Sequence, residues 1–223
     1  MKIDQEFILS KDISHFFLPL LSQLYYYAMK YLSFFILLFI GELSVSAQHM
    51  FSRQFPFFNQ LSSNEIFSIH QDREGYFWIG TTNGLARYDG YQLNTFRTDY
   101  KNQNLLTDNG ITAINDNDLY VWIGTWKGLN LYNKQTCRIT PFSDARLLDK
   151  VVDAITVDKD GNVWVSAGGM IYRCDSTAHI IKEYEVGNIQ EGYAISNIYA
   201  DQQKQLWAVG SRGIFRYEPE TDS

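Results

Sequence analysis

The tightest constraint on this chain is a tryptophan that returns at a nearly fixed interval. Trp78, Trp122, Trp164 and Trp207 are separated by 44, 42 and 43 residues, and the neighbours of each fall into one register. The opening branched residues Ile66, Ile111, Val152 and Ile195 recur with the tryptophans, and so do Tyr88, Tyr132, Tyr172 and Tyr217. Three markers on one period define a repeat. A period of about 40 to 50 residues made of short β runs is the signature of propeller blades. The expected fold is all-β: a β-propeller of four-stranded antiparallel blades, with four repeats present.

The first repeat shows how a blade is encoded. IFSIHQD, Ile66 to Asp72, reads as a strand in which Ile66, Ser68 and His70 alternate with Phe67, Ile69 and Gln71. The turn Asp72-Arg73-Glu74-Gly75 follows, then the strand YFWIGT, the tight turn Thr82-Asn83-Gly84, the strand LARYD, a turn at Asp89-Gly90, and the strand YQLNTFR. The later repeats restate this with drift. Repeat two has an irregular first turn, Asn117-Asp118, without the glycine, and repeat three has Ser166-Ala167 where the earlier copies have Gly-Thr. The boundaries read as 66–110, 111–151, 152–194 and an incomplete fourth blade at 195–223. A lead-in at 48–65 holds a candidate closing strand, FSRQFPF. Closing that strand onto the fourth blade would make a small ring; the expected arrangement is an open arc with two blade faces uncovered, which favours aggregation.

Composition agrees and excludes several function classes. Of 223 residues, 45% are hydrophobic and 16% aromatic, which suits half-buried pleated surfaces. A formal charge of -6 offers no basic stripe, so no nucleic-acid partner is expected through this segment. His15, His49, His70 and His179 have no ligand spacing, so neither metal nor cofactor is expected. Cys137 and Cys174 sit at non-equivalent positions of adjacent repeats and are read as small hydrophobes rather than a bridge.

Residues 1–47 form a leader. The apolar run 31–41 follows Lys30 and precedes SVSAQ, with Val45 and Ala47 suited to a signal-peptidase site, so 29–47 reads as a signal peptide with Met29 as the true start. An uncleaved signal anchor that uses the patches FFLPLL and LYYYAM is the alternative. Either way the repeats are expected outside the cytoplasmic membrane, in the periplasm.

The repeated residues themselves read as structural. Trp78, Trp122, Trp164 and Trp207 are expected as wedges between blades. Gly80, Gly84, Gly124, Gly128, Gly210 and Gly213 are expected to allow close backbone approach or positive φ.

With WIGTTNGL and WIGTWKGL in hand, the pattern resembles the two-component regulator propeller repeat, of the form D-x-x-G-x-x-W-I-G-T-x-x-G-L-x-x-Y-D. Asp72, Gly75, Trp78, Ile79, Gly80, Thr81, Gly84, Leu85, Tyr88 and Asp89 match it throughout; repeat two keeps Trp122 to Thr125 and Gly128-Leu129, and repeats three and four drift. The resemblance implies the extracytoplasmic sensor of a bacterial hybrid two-component protein that detects an oligosaccharide and, through a histidine kinase and phosphorelay, regulates transcription. It also implies a seven-bladed ring of which this chain supplies four blades. The missing blades and kinase domains of the same polypeptide would be its partners, with inner-membrane anchoring and a homodimer in the full-length sensor.

Recognition is expected on loops. The turn between second and third strands and the link into the next inner strand share a face. That face gathers Thr82, Asn83, Trp126, Lys127, Ser211 and Arg212 from turns, and Asn64, Glu65, Asp108, Asn109, Glu191 and Tyr193 from links. Trp126 stands out as a large aromatic where other repeats place small or polar residues; with Lys127 it suits a sugar ring and its hydroxyl or carboxylate. A free-standing secreted carbohydrate- or protein-binding propeller is the alternative function. A propeller lyase or hydrolase is a third class, for which the sequence holds no nucleophile motif or paired acid and base, so no catalytic residue is assigned.

Overall fold

The computed structural model describes residues 19–35, 55–99, 105–186, 195–201, 203, 205–211 and 213–218. Contacts divide the chain into two units, Met1–Arg53 and Gln54–Ser223. In the first, residues 19–35 form an exposed helix in which the Ser22 and Ser33 hydroxyls donate to the carbonyls three residues earlier. Among the described residues no helix is long and apolar enough to cross a membrane. The expected cleavage site at Val45 to Ala47 lies outside the described residues.

The second unit is all-β. Blade 1 is β1 (Ile66–Gln71), β2 (Phe77–Thr81), β3 (Gly84–Tyr88) and β4 (Leu93–Phe96). Blade 2 is β5 (Ile111–Asp116), β6 (Tyr120–Thr125), β7 (Gly128–Asn133) and β8 (Arg138–Pro141). Blade 3 is β9 (Val152–Val157), β10 (Val163–Ala167), β11 (Met170–Cys174) and β12 (Ile180–Glu185), and blade 4 is β13 (Ile195–Ala200), β14 (Leu206–Gly210) and β15 (Gly213–Arg216). Each blade is an antiparallel meander in chain order, so four propeller blades follow one another as the repeats do. Of the lead-in, residues 48–54 lie outside the described residues, and Phe58–Gln60 form a 3-10 turn.

The core lies between blades, in three separate layers. Trp78 and Leu85 of blade 1 pack with Ile111, Ile114, Val121, Ile123, Tyr132 and Ile139 of blade 2. Trp122 and Leu129 pack with Val152, Ile155, Val163, Val165 and Tyr172. Trp164 and Ile171 pack with Ile195, Ile198, Leu206 and Ala208. Trp78 is fully buried, its ring centroid 4.8 Å from that of Tyr132 and 6.2 Å from that of Phe96. The residues of blade 1 equivalent to Ile111, Ile114 and Val121 are Ile66, Ile69 and Phe77, and all three are exposed. They line an apolar groove with Phe55, Phe58 and Tyr88. On blade 4, Tyr199, Val209 and Ile214 are exposed as well.

Simple alternation along the inner strands does not hold. β1, β5 and β13 each carry a register shift, between Ile66 and Ser68, Ile111 and Ala113, and Ile195 and Asn197, and β9 carries one opposite Ser166 and Ala167. A β-bulge adds one residue to one strand of a pair and shifts the facing of the residues beyond it by one position. Ile66 and Ile69, expected on opposite faces, therefore line the same groove, as Ile111 and Ile114 share one core layer.

Two glycine positions have clear steric causes. A Cβ on Gly80 would lie 2.7 Å from Ile111 Cγ2, and one on Gly124 would lie 2.6 Å from Val152 Cγ1, so the branched residue that opens each following blade packs directly on the glycine backbone. Gly84, at φ 127°, closes the two-residue turn Thr82-Asn83 in a conformation open to glycine. Gly210 pairs with Gly213 as Thr81 pairs with Gly84, so it occupies the threonine position and Val209 that of Gly80. Gly124→Ala is expected to destabilise the protein by about 1–3 kcal/mol through overpacking. Urea unfolding of G124A alone and combined with V152A checks this, the second change restoring most of the loss.

The repeated Asp fixes the tryptophan as well as the turn. Asp72 Oδ1 accepts from the Glu74 and Tyr76 amides at 3.0 Å, and its Oδ2 accepts from Trp78 Nε1 at 2.6 Å. Asp158 and Asp201 hold Trp164 and Trp207 in the same way, at 2.8 and 3.1 Å. In blade 2 Asn117 takes over the turn, accepting from the Leu119 and Tyr120 amides, and buried Trp122 Nε1 has no partner among the described residues. Asp116, released from the turn, reaches His70 Nε2 of blade 1 at 2.7 Å and Lys134 Nζ at 2.6 Å. Both thiols are free: Cys174 is buried in a core layer, whereas Cys137 is exposed in a turn at φ 56°, so only the former is a core hydrophobe.

Candidate ligand-binding face

Backbone bonds tie each hairpin turn to the links beside it. Thr82 N donates to Glu65 O at 3.1 Å, Gly84 N to Asn109 O at 2.7 Å, and Trp126 N to Gly110 O at 3.1 Å. Turn and link of blades 1 and 2 therefore form one continuous surface. Side chains knit it further: Thr82 Oγ1 donates to Ser63 Oγ, Asn83 Nδ2 to Ser62 O, and the Thr98 amide to Asn109 Oδ1 at 2.8 Å. Asp108 Oδ1 accepts from the Gly110 amide at 2.7 Å, while its Oδ2 lies 3.8 Å from Lys127 Nζ.

Thr82, Asn83, Glu65, Asn109, Asp108, Trp126 and Lys127 are thus brought together. Asn64 is exposed beside them, and Ser211 is exposed in the equivalent β14–β15 turn. Arg212, Glu191 and Tyr193 lie outside the described residues.

Trp126 is half-exposed. One side of its ring covers Gly110, where a Cβ would meet ring carbons at 2.4 to 2.8 Å, and its edge meets Phe67, with ring centroids 6.2 Å apart. Phe67 is itself exposed, so two aromatic surfaces from adjacent blades face solvent together. Such surfaces suit the apolar faces of a sugar ring, while Lys127 and Asp108 offer a donor and an acceptor.

The residues absent from the sequence expectation are those at the inner-strand bulges: Phe67, Thr112, Asp153 and Ser196. Each directly follows the opening Ile or Val of its repeat. A sequence signal is present, since the position varies directly behind a recurring branched residue, but simple alternation places it in an ordinary strand. Thr112 Oγ1 donates to Val152 O at 2.5 Å, joining blades 2 and 3 next to Asp153. Asp153 is partly buried and has no hydrogen bond or ion pair with any described residue; burial pushes its carboxyl up to about 6.

Residues 60–83 match a family model described as two component regulator propeller. No curated protein matches the chain. Among solved structures, the extracellular domain of the hybrid two component system BT4673 from B. thetaiotaomicron is similar, with 22% identity and a TM-score of 0.57 over 70% of this chain and 22% of that one. The corresponding domain of BT3049 from the same organism has 20% identity and a TM-score of 0.55 over 77% of this chain and 31% of that one. Virginiamycin B lyase from Staphylococcus aureus has 17% identity and a TM-score of 0.52 over 70% of this chain and 56% of that one. At these identities the likeness is one of fold, and the chain spans less than a third of the two sensor domains.

Proposed function

We propose, starting from the two-component regulator propeller repeat at residues 60–83, that this chain is a ligand-sensing part of an extracytoplasmic sensor in a two-component system. That repeat, in phase with three further copies, is the observation that carries the reading. The ligand is an oligosaccharide, received on the face around Trp126 and Lys127. The chain binds rather than catalyses, and transcriptional output comes from a histidine kinase elsewhere in the same polypeptide, which is anchored in the inner membrane and works as a homodimer.

The exposed faces of blades 1 and 4 support the presence of further blades from that polypeptide. Ile66, Ile69 and Phe77 present to solvent what the next two blades bury against a preceding blade's tryptophan. The coding sequence past Ser223 is expected to continue through more blades, a membrane span and a kinase domain; a stop there removes the reading.

Binding is tested by calorimetric titration of the chain with a panel of neutral and charged oligosaccharides. Trp126→Ala is expected to weaken binding by about tenfold or more, the scale of one lost stacking contact. Affinity unchanged in W126A would place the ligand elsewhere.

A further inference from the structure

The four inner-strand bulges put one variable side chain at the same level of each successive blade. They are Phe67, Thr112, Asp153 and Ser196, in register with the opening residues Ile66, Ile111, Val152 and Ile195. A bulge leaves its extra residue out of the ladder and re-aims that side chain, which is why it suits a binding position. Contacts connect this rim to the aromatic pair: Phe67 meets Trp126, Trp126 covers Gly110, and two residues on Thr112 bonds the carbonyl immediately before Asp153.

Asp153 differs from the carboxylates that serve the fold. Asp72, Asp158 and Asp201 bind turn amides and a tryptophan, and Asp116 is held by Lys134 and His70. The nearby Lys150 is turned to the Tyr172 hydroxyl at 2.8 Å. Asp153 alone of these is partly withdrawn from water with no described residue bonded to it, an arrangement that costs stability unless a cation completes it. The rings of Phe67 and Trp126, on the blades before it, also favour a cation through their π faces.

We propose that this rim is the floor of the ligand site and that Asp153 selects a sugar carrying a protonated amine. This rests on the oligosaccharide-sensing reading and narrows it to amino sugars with a free amine. Phe67 and Trp126 hold the ring, and Asp153 pairs with its ammonium group.

The test titrates the full chain by calorimetry with a glucosamine tetramer and with its fully N-acetylated counterpart, which has the same length but no charge. The free-amine tetramer is expected to bind about tenfold more tightly, the scale of one charge-assisted hydrogen bond. Asp153→Asn is expected to remove that preference, bringing the two tetramers to equal affinity, while Trp126→Ala weakens both. Thermal melting of D153N is expected to match or exceed that of the native chain, because an unpaired carboxylate is neutralised. Asp153→Ser, the side chain at the equivalent blade 4 position, serves as a second variant. Equal binding of the two tetramers, or a preference that survives D153N and D153S, overturns the assignment while leaving the sensor reading intact. If neither tetramer nor any neutral oligosaccharide binds, both fall.

Discussion

Trp78→Ala is expected to destabilise the protein by about 3–5 kcal/mol, measured by urea unfolding, because it empties the layer between blades 1 and 2. The ring is fully buried among Leu85, Ile111, Ile123 and Tyr132, and Phe96 and Tyr132 pack against it. The loss has two parts that phenylalanine separates. Trp78→Phe retains most of the apolar contact but removes the donor to Asp72 Oδ2, leaving a buried carboxylate with one bond fewer. It is expected to cost about 1–3 kcal/mol. Trp122 supplies the contrast, since its Nε1 is buried with no partner among the described residues. Trp122→Phe is therefore expected to cost less than Trp78→Phe, although both rings are fully buried. Equal losses would mean that the Asp72 bond contributes nothing net.

Asp116→Ala is the second large effect. Asp116 and Lys134 are both almost fully buried, at 5% and 7% side-chain exposure, and the Asp116 carboxylate also holds His70 and accepts from the Arg73 amide. Removing the carboxylate leaves the ammonium group buried and unpaired, at a cost of about 3–5 kcal/mol. Lys134→Met in the same chain is expected to recover much of that loss, which a purely steric cause would not allow.

The pH dependence has a definite sign. Burial alone would raise the Asp116 pKa, but the bonds from His70 and Lys134 outweigh it and lower the value to about 2. A carboxylate depressed from its ordinary 3.8 contributes stability that is fully present above about pH 4 and is lost as pH falls through 2, in total about 2 kcal/mol. Asp116→Asn is expected to flatten the stability profile in that window and leave the rest of the acid transition in place.

Much of the blade was legible in the sequence, because it rests on local chemistry. Trp78, the Asp72 turn and the Thr82-Asn83 hairpin are each specified within a dozen residues, and their period fixes the rest. The features that were not legible depend on contacts between blades or on one-residue changes of register. Asn117 takes the turn that the repeat assigns to aspartate, so Asp116 is freed for Lys134, eighteen residues on, and for His70 in the previous blade. The bulge at Phe67 carries no turn residue, and its one mark in the sequence is the spacing of three between apolar residues, Ile66 to Ile69 and Ile111 to Ile114, which simple alternation puts on opposite faces. At the candidate site the hairpin turns were visible as variable residues between fixed ones. Asp153 was hidden by the same alternation, and its missing partner can be seen only in three dimensions.

Among the described residues the three core layers share no residue, and each couples one pair of neighbouring blades. Stability in such a chain is a sum of nearest-neighbour terms. Among these four blades, blade 1 or blade 4 detaches by breaking one layer, while blade 2 or blade 3 must break two. Amide exchange should consequently be fastest in β1–β4 and β13–β15 and slowest in β5–β12. The order comes from connectivity alone, whatever the intrinsic strand propensities. A ligand seated over Phe67 and Trp126 bridges blades 1 and 2, so its binding would register as slowed exchange at that end of the array.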